Sequence, residues 1–190
     1  MRDTTTQEEK IRDEKILTIP NLISLFRLLL IPVFIFQFVT AQSQRDMYIA
    51  AAILAVSALS DLIDGKIARH FHQITRLGVI LDPVADKLTH ISAAICLSMK
   101  YPLMYFVTII LILKEGYMLI KGVKSIRSGN SLQKAEWFGK ACTVVVFCIF
   151  LFLMIVWNIN RMISDVLIIV SAAALIFSWI SYIKVYKSMS

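Results

Sequence analysis

Four aspartates stand in two closely spaced pairs between two apolar segments of the chain. Asp61 and Asp64 are three residues apart, and Asp82 and Asp86 are four residues apart. Side chains at these spacings project from one face of a helix, so each pair can present two carboxylates to a common site. We expect the two pairs to face each other across the short turn that joins their helices.

The residue after Asp82 bears on where its helix begins. Pro83 occupies that position, and proline is favoured in the first turn of a helix, where its missing N–H is not needed. The sequence therefore predicts that the helix carrying Asp82 and Asp86 begins near residue 82.

Four carboxylates that converge near lipid repel one another, and each costs about 2.5–3.5 kcal/mol to place there even on a permissive insertion scale. Two divalent cations would neutralise them with matching charge. The donors are hard oxygens with no His or Cys among them, a set that favours Mg²⁺ or Mn²⁺ over Zn²⁺. We therefore predict a cofactor of two Mg²⁺ or Mn²⁺ ions at this cluster.

The residues after Asp64 suit the approach of a phosphorylated ligand. Gly65 and Ala68 leave a surface of small residues where a substrate can press against the backbone. Arg69 follows Gly65 by one helical turn and is placed to meet a phosphate. Acids and bases at the end of an apolar segment are more often a solvated loop, so the case depends on the joint spacing of all these residues.

Composition places the elements that carry these residues in a membrane. The mean hydropathy of +0.73 and the 58% of hydrophobic residues lie outside the usual range of soluble domains. A span needs roughly 20 apolar residues, and six stretches qualify, near 20–40, 47–69, 82–100, 102–121, 137–157 and 162–186. We expect an all-α integral membrane protein, a six-transmembrane-helix bundle formed by one membrane domain at 18–190.

The first 17 residues differ from the rest of the chain. They mix acids and bases and contain no apolar core region, so they form neither a secretory signal nor a span. We expect a cytoplasmic N-terminal segment at 1–17. Two interpretations of it stay open, a short helix at the membrane interface and a disordered segment.

The basic residues indicate orientation, since positively charged loops stay on the cytoplasmic side. Of 20 Lys and Arg, only Arg45, Lys100 and Arg161 fall in the turns after the first, third and fifth spans. We therefore predict a multi-pass protein of the inner or plasma membrane with both termini and the carboxylate site cytoplasmic. This asymmetry explains the net charge of +7 without a nucleic-acid partner.

The cysteines and histidines carry no metal-ligand spacing. The three cysteines lie in apolar runs and are interpreted as small buried hydrophobic residues: Cys96, Cys142 and Cys148. The three histidines have no ligand spacing with one another and are expected at the surface or at an interface: His70, His72 and His90.

This chain resembles the CDP-alcohol phosphatidyltransferase family, whose signature it matches without departure at eight positions. The signature reads D-x-x-D-G-x-x-A-R, then a gap of eight residues, then G-x-x-x-D-x-x-x-D. The signature residues are Asp61, Asp64, Gly65, Ala68, Arg69, Gly78, Asp82 and Asp86. TIPNLISLFRLLLIP at 18–32 and LDPVADK at 81–87 resemble the branch that holds phosphatidylglycerophosphate synthases and cardiolipin synthases. The likeness covers most of the chain and weakens after Lys121.

The resemblance implies a six-helix enzyme, often a homodimer, that transfers a phosphatidyl group from CDP-diacylglycerol to an alcohol and releases CMP. It makes the four aspartates the ligands of the two-metal centre, with Asp86 also serving as the base that takes the acceptor's proton. It assigns cytidine diphosphate binding to a second set: Asp61, Gly65, Ala68 and Arg69.

The acceptor is predicted to be glycerol 3-phosphate, a small dianion that needs further cationic residues. Lys114 and Lys140 are candidates, each with an alternative interpretation as a snorkelling lysine at the end of a span. Arg27 lies inside a hydrophobic stretch and is a third candidate, with an ion pair to an acid on a neighbouring helix as its alternative.

Two further functions stay open. Phosphatidylglycerophosphate synthases usually show Arg-Glu where this chain has Lys114-Glu115, so a cardiolipin synthase that accepts phosphatidylglycerol, or another CDP-alcohol phosphatidyltransferase, is the alternative. A cation transporter is more remote, because transport sites lie near the midplane at broken helices of repeated halves. Here the acids cluster at one edge, and no repeat is visible.

Overall fold

The computed structural model describes the backbone of residues 19–70, 76–127 and 136–188 and the side chains of residues 21–61, 81–119 and 141–184. Within these ranges all regular secondary structure is helical. The six helices are α1 (Ile19–Val39), α2 (Gln44–His70), α3 (Arg76–Lys100), α4 (Met104–Arg127), α5 (Glu136–Ile155) and α6 (Arg161–Ser188). Six helices were predicted, and their number is confirmed over the described residues; the segment 1–17 lies outside them.

The helices pack around one hydrophobic core. α1 lies against α2 and α3, α4 lies against α3 and α6, and α5 lies against α6 and α2. The largest fully buried apolar side chains come from five of the helices: Leu54, Leu97, Met104, Phe150, Leu153, Met154, Ile168 and Leu175. Five separate helices therefore depend on a common interior.

Small residues let the helices approach closely. Ala50 and Ala51 on α2, and Ala93 and Ala94 on α3, are buried in this core. Buried hydroxyls satisfy themselves within their own helix, as Thr89 donates to the carbonyl oxygen of Ala85 at 2.8 Å. Small and self-satisfied side chains at helix contacts are the pattern that packing in lipid favours.

Large apolar side chains also point outward from every helix. Examples are Phe36, Leu59, Met99, Phe106, Val144 and Met162. Two helices in the described part of the chain are long and apolar enough to cross a membrane, over Asn21–Val39 and Arg161–Lys184, and the apolar stretch Ala141–Ile155 is shorter. Cys96 is buried as expected, whereas Cys148 is exposed on α5.

The predicted start of the third helix is wrong. α3 begins at Arg76, so Pro83 lies inside the helix and not in its first turn. A proline in a helix interior removes one hydrogen bond to the carbonyl four residues earlier, and membrane helices tolerate this where neighbouring groups satisfy that carbonyl. Asp82 and Asp86 consequently project from the body of α3.

Lys100 makes cation–π contacts at the end of the bundle where α3 and α5 end. Lys100 Nζ lies 5.2 Å from the ring centroid of Tyr101 and 5.0 Å from that of Trp157. It also donates to the carbonyl oxygen of Trp157 at 3.3 Å, and the Tyr101 hydroxyl donates to that of Leu153 at 3.3 Å. These contacts join the α3–α4 connection to the α5–α6 connection.

The start of α2 is held by a capping box. The Ser43 hydroxyl accepts from the Asp46 N–H at 3.3 Å, while Asp46 Oδ2 accepts from the Ser43 N–H at 2.9 Å and from the Gln42 N–H at 3.1 Å. The hydrogen bond from the Ser43 hydroxyl, followed by that from the Gln42 N–H, lowers the pKa of Asp46 below 3.8. The carboxylate form therefore stabilises the beginning of the helix.

Asp46→Asn is expected to lower the Tm of the purified protein at about pH 7, because the amide is a weaker acceptor than the carboxylate. A lowered pKa in the folded state means that this stability is present above the usual pKa of 3.8 and is lost as the pH falls through the folded value. The difference in Tm between the two proteins should thus shrink below that pH.

The matched control is Asp165→Asn, since Asp165 makes only a 4.0 Å contact with the exposed Arg161. A weak surface pair contributes little, so this variant should have the Tm of the wild type at about pH 7 and also below the usual pKa of 3.8. A pH-independent loss of Tm in Asp46→Asn would contradict the role given to the charge.

Candidate active site

Arg27 is the cation around which the signature aspartates gather. Its side chain is only 1% exposed and extends from α1 toward α2 and α3. Nη1 donates a hydrogen bond to Asp61 Oδ1 on α2, and Nη2 lies 3.5 Å from Asp86 Oδ1 on α3. One buried guanidinium therefore links carboxylates of two different helices, and an arginine suits this task because its donors are spread over a planar fork.

Asp82 is held by the same face of α1. Ser24 precedes Arg27 by three residues, so the two side chains lie on one side of the helix. The buried Ser24 hydroxyl donates to Asp82 Oδ1. Asp61 lies close enough to Asp82 and Asp86 for their charges to act on it. The structure thus brings together three of the four predicted carboxylates.

Several predicted site residues lie outside the described side chains. The positions on α2 are Asp64, Gly65, Ala68 and Arg69, and Lys140 stands near the start of α5. Their backbone belongs to these helices, but their side chains are outside the described residues. Their predicted roles in metal, cytidine diphosphate and acceptor binding stay predictions.

His90 belongs to this site, although its sequence pattern placed it at the surface or at an interface. Its side chain is 13% exposed, and Nε2 lies 3.4 Å from Asp86 Oδ1. The ring meets Phe147 of α5 edge to face, with the centroids 5.3 Å apart at an interplanar angle of 67°. The surface interpretation is therefore wrong. The spacing of four residues between Asp86 and His90 was the signal available in the sequence.

A second charged cluster lies beside the first. Lys87, which follows Asp86, places Nζ 3.1 Å from Glu115 Oε2, and Lys114 Nζ donates to Glu115 Oε1 at 2.8 Å. Lys114 is 2% exposed and lies in the middle of α4, so its alternative interpretation as a snorkelling lysine at a span's end is wrong. Two ammonium groups around one carboxylate leave a net positive charge. Sequence reasoning missed Lys87.

The profile of the CDP-alcohol phosphatidyltransferase family matches residues 17–183. The chain belongs to this family. Among CDP-alcohol phosphatidyltransferase relatives, a Streptomyces coelicolor protein named cardiolipin synthase (CMP-forming) is 34% identical over 140 residues, which are 72% of this chain and 65% of that protein. A protein of Aquifex aeolicus named CDP-diacylglycerol–glycerol-3-phosphate 3-phosphatidyltransferase is 31% identical over 176 residues, 87% of this chain and 94% of that protein.

A third relative comes from Mycobacterium tuberculosis and is named a probable phosphatidylglycerophosphate synthase. It is 32% identical over 133 residues, which are 69% of this chain and 63% of that protein. The chain thus spans slightly less than two thirds of the length of the Streptomyces and Mycobacterium relatives. Proteins named as phosphatidylglycerophosphate synthase and as cardiolipin synthase, the two kinds of enzyme in the branch that residues 18–32 and 81–87 resemble, both occur among the relatives of this CDP-alcohol phosphatidyltransferase.

The donor chemistry of the site suits a hard divalent cation, because Asp61, Asp82 and Asp86 supply only carboxylate oxygens. Among the described side chains, His90 also brings an imidazole nitrogen to this cluster, since its Nε2 faces Asp86. Within the described side chains, no three acidic, histidine or cysteine residues are arranged to hold a metal ion. Asp64 lies outside that set, so the four-ligand centre stays a prediction.

Arg27→Gln is expected to lower the free energy of unfolding by about 1–3 kcal/mol, because it leaves two carboxylates facing each other without their cation. This loss of stability is smaller than the loss from breaking a fully buried ion pair, since Asp61 and Asp86 are 39% and 42% exposed and are partly solvated. Arg27→Lys keeps the positive charge, so its free energy of unfolding should fall less than that of Arg27→Gln. It should still fall, because a lysine cannot contact both carboxylates through a planar fork.

Denaturant or thermal unfolding in detergent measures both variants against Arg161→Gln, whose arginine is 90% exposed and serves as the matched control. Equal stability of Arg27→Gln and Arg161→Gln would show that Arg27 does not hold the site together.

Proposed function

We propose that this protein transfers the phosphatidyl group of CDP-diacylglycerol to glycerol 3-phosphate and releases CMP. The observation that carries this proposal is the gathering of Asp61, Asp82 and Asp86, three carboxylates of the family signature, at Ser24 and Arg27 of α1. The Aquifex relative supports the choice of reaction, because the match extends over 94% of its length. This activity places the protein in phospholipid biosynthesis.

In this proposal the signature aspartates Asp61, Asp64, Asp82 and Asp86 hold two Mg²⁺ or Mn²⁺ ions. When bound, the ions would polarise the pyrophosphate and stabilise charge on the CMP oxygen. Gly65, Ala68 and Arg69 bind the cytidine diphosphate together with Asp61.

Asp86 is the proposed base. A hydroxyl is a poor nucleophile at neutral pH, so a carboxylate within hydrogen-bond reach has to take its proton. The acceptor's O–H bond breaks, its proton goes to Asp86, and its oxygen forms a bond to the lipid phosphorus while the bond from that phosphorus to the CMP oxygen breaks.

Lys114 and Lys140 are the proposed residues for the acceptor phosphate. Lys114 is held by Glu115, which also contacts Lys87, so these two lysines and one glutamate together carry one positive charge. A phosphate dianion is a suitable ligand for it. Arg27 was a third candidate, but its two carboxylate contacts favour the alternative of an ion pair across helices.

The six helices are proposed to cross the membrane as one domain over 18–190, following a cytoplasmic segment at 1–17. The outward apolar side chains on every helix support this arrangement. The distribution of Lys and Arg supports cytoplasmic termini and a cytoplasmic active site in the inner or plasma membrane. A homodimer is part of the same proposal and comes from the resemblance alone.

A cardiolipin synthase is the second candidate, favoured by the 34% identity to the Streptomyces protein. Release of CMP from CDP-diacylglycerol by the purified protein, measured with a panel of alcohols, separates the two. The preferred function requires turnover with glycerol 3-phosphate. Turnover with phosphatidylglycerol alone would establish the second candidate, and no CMP release with any alcohol would reject both.

Removal of divalent metal is expected to abolish turnover, because the proposed ligands are carboxylates that act through the ions they hold. CMP release should disappear in excess EDTA and return with Mg²⁺ or Mn²⁺. Full activity in excess chelator would reject the metal centre, and return of activity with Zn²⁺ alone would reject the preference for hard cations.

Lys114→Gln and Lys140→Gln are each expected to raise the KM for glycerol 3-phosphate by about ten- to a hundredfold, since each removes a charge-assisted hydrogen bond to phosphate. The KM for CDP-diacylglycerol should change little. Lys114→Arg keeps the charge and should lose less.

Lys184→Gln is the control, because Lys184 lies exposed near the end of α6. Thermal unfolding of each variant shows whether its fold is kept. An unchanged KM for glycerol 3-phosphate in a folded Lys114→Gln protein would remove Lys114 from the acceptor site.

A further inference from the structure

Two described side chains contact the Asp86 carboxylate, and both contacts are made to Oδ1. Nη2 of Arg27, on α1, lies 3.5 Å from Oδ1, and Nε2 of His90, one turn further along α3, lies 3.4 Å from the same atom. The guanidinium is always charged and also contacts Asp61. The imidazole contact is thus the one that distinguishes Asp86 from its neighbour in the cluster.

The His90 ring is itself held in place. Phe147 of α5 meets it edge to face, a preferred arrangement for two aromatic rings. With 13% of its side chain exposed, the ring is confined between α3 and α5. In the tautomer that carries its proton on Nε2, it donates toward Asp86 Oδ1. Phe147 of α5 therefore acts on Asp86 indirectly, through the imidazole ring of His90.

We propose that His90 is a positioning residue that fixes the orientation of the Asp86 carboxylate for proton abstraction from the acceptor hydroxyl. The inference rests on the proposed function. Rotation of a carboxylate about its last bond is broad and two-fold. The contacts that the described side chains of Arg27 and His90 make both engage Oδ1, and in this proposal Oδ2 faces the hydroxyl. His90 exchanges no proton in this role, because the proton passes from the acceptor to Asp86 Oδ2.

Positioning predicts a loss in turnover without a loss in binding. A general base must be held within hydrogen-bond reach and in the right direction when the transition state forms. Binding of CDP-diacylglycerol does not require that orientation. The kcat should therefore fall in a variant that lacks the donor, and the KM for CDP-diacylglycerol should stay close to that of the wild type.

The test compares His90→Leu, which removes the donor, with His90→Gln, which keeps an N–H donor near the place of Nε2. We expect His90→Leu to lower kcat by about ten- to a hundredfold, and His90→Gln to recover most of it. Thr89→Val is the matched packing control on the neighbouring residue, whose hydroxyl donates to the Ala85 carbonyl oxygen within α3. It should keep the wild-type kcat.

Two results would overturn the proposal. A wild-type kcat in His90→Leu would show that His90 has no role in turnover. An equal loss of kcat in His90→Leu and His90→Gln would show that His90 acts through packing alone.

A separate measurement does not depend on turnover. In protein labelled with ¹⁵N-histidine, the His90 ring signal, identified by its loss in His90→Gln, should shift in Asp86→Ala and stay unchanged in Asp165→Asn.

The two measurements separate this inference from the proposed function. If wild-type protein releases no CMP with any alcohol, the proposed function fails, and His90 then has no proton abstraction to position. If the wild type is active but the His90 signal does not respond to Asp86→Ala, the function stands and the positioning role fails. Support requires the wild-type activity, the rescue by His90→Gln and the shift of the ring signal.

Discussion

The burial of one arginine among carboxylates determines the arrangement of this bundle. A guanidinium that is 1% exposed in an apolar interior needs counter-charges within reach, and Asp61 and Asp86 supply them from α2 and α3. Those carboxylates repel each other, and the cation between them offsets that repulsion. The contact of α1 with both helices therefore follows from charge as well as from apolar packing, and the same three helices carry the proposed chemistry.

The number of helices could be predicted from the sequence, because each helix contains an apolar stretch and polar residues separate these stretches. Two limits differ by six residues from the prediction: α3 begins at Arg76 and not near 82, and α4 ends at Arg127 and not near 121. Pro83 suggested a helix start on local preference, whereas residues 77–81 are apolar apart from Gly78 and extend the helix two turns earlier. Local propensity was overridden by the continuation of the apolar segment.

The candidate site was predictable where residues share one helix and less so where they meet across helices. The spacing of the aspartates indicated a carboxylate cluster, and three of its members do converge. The partner of Arg27 could be named only as an acid on a neighbouring helix, since sequence spacing holds no information about which helices touch. Lys87 was missed because its partner is a glutamate on α4. His90 was missed although its partner Asp86 lies one turn away on the same helix, a spacing that the sequence does show.

α3 is joined to α5 and to the connection after it at two separated points. Lys100 contacts Trp157 just beyond the end of α5, and His90 contacts Phe147 within α5. Ten residues of helix separate Lys100 from His90, which is a distance of roughly 15 Å. Two helices that are fixed to each other at two separated points resist sliding and bending, and α1 is joined to the same α3 through Arg27 and Asp86. Asp86 lies one turn from His90 on α3, so these two fixed points also hold the stretch of backbone that carries its carboxylate.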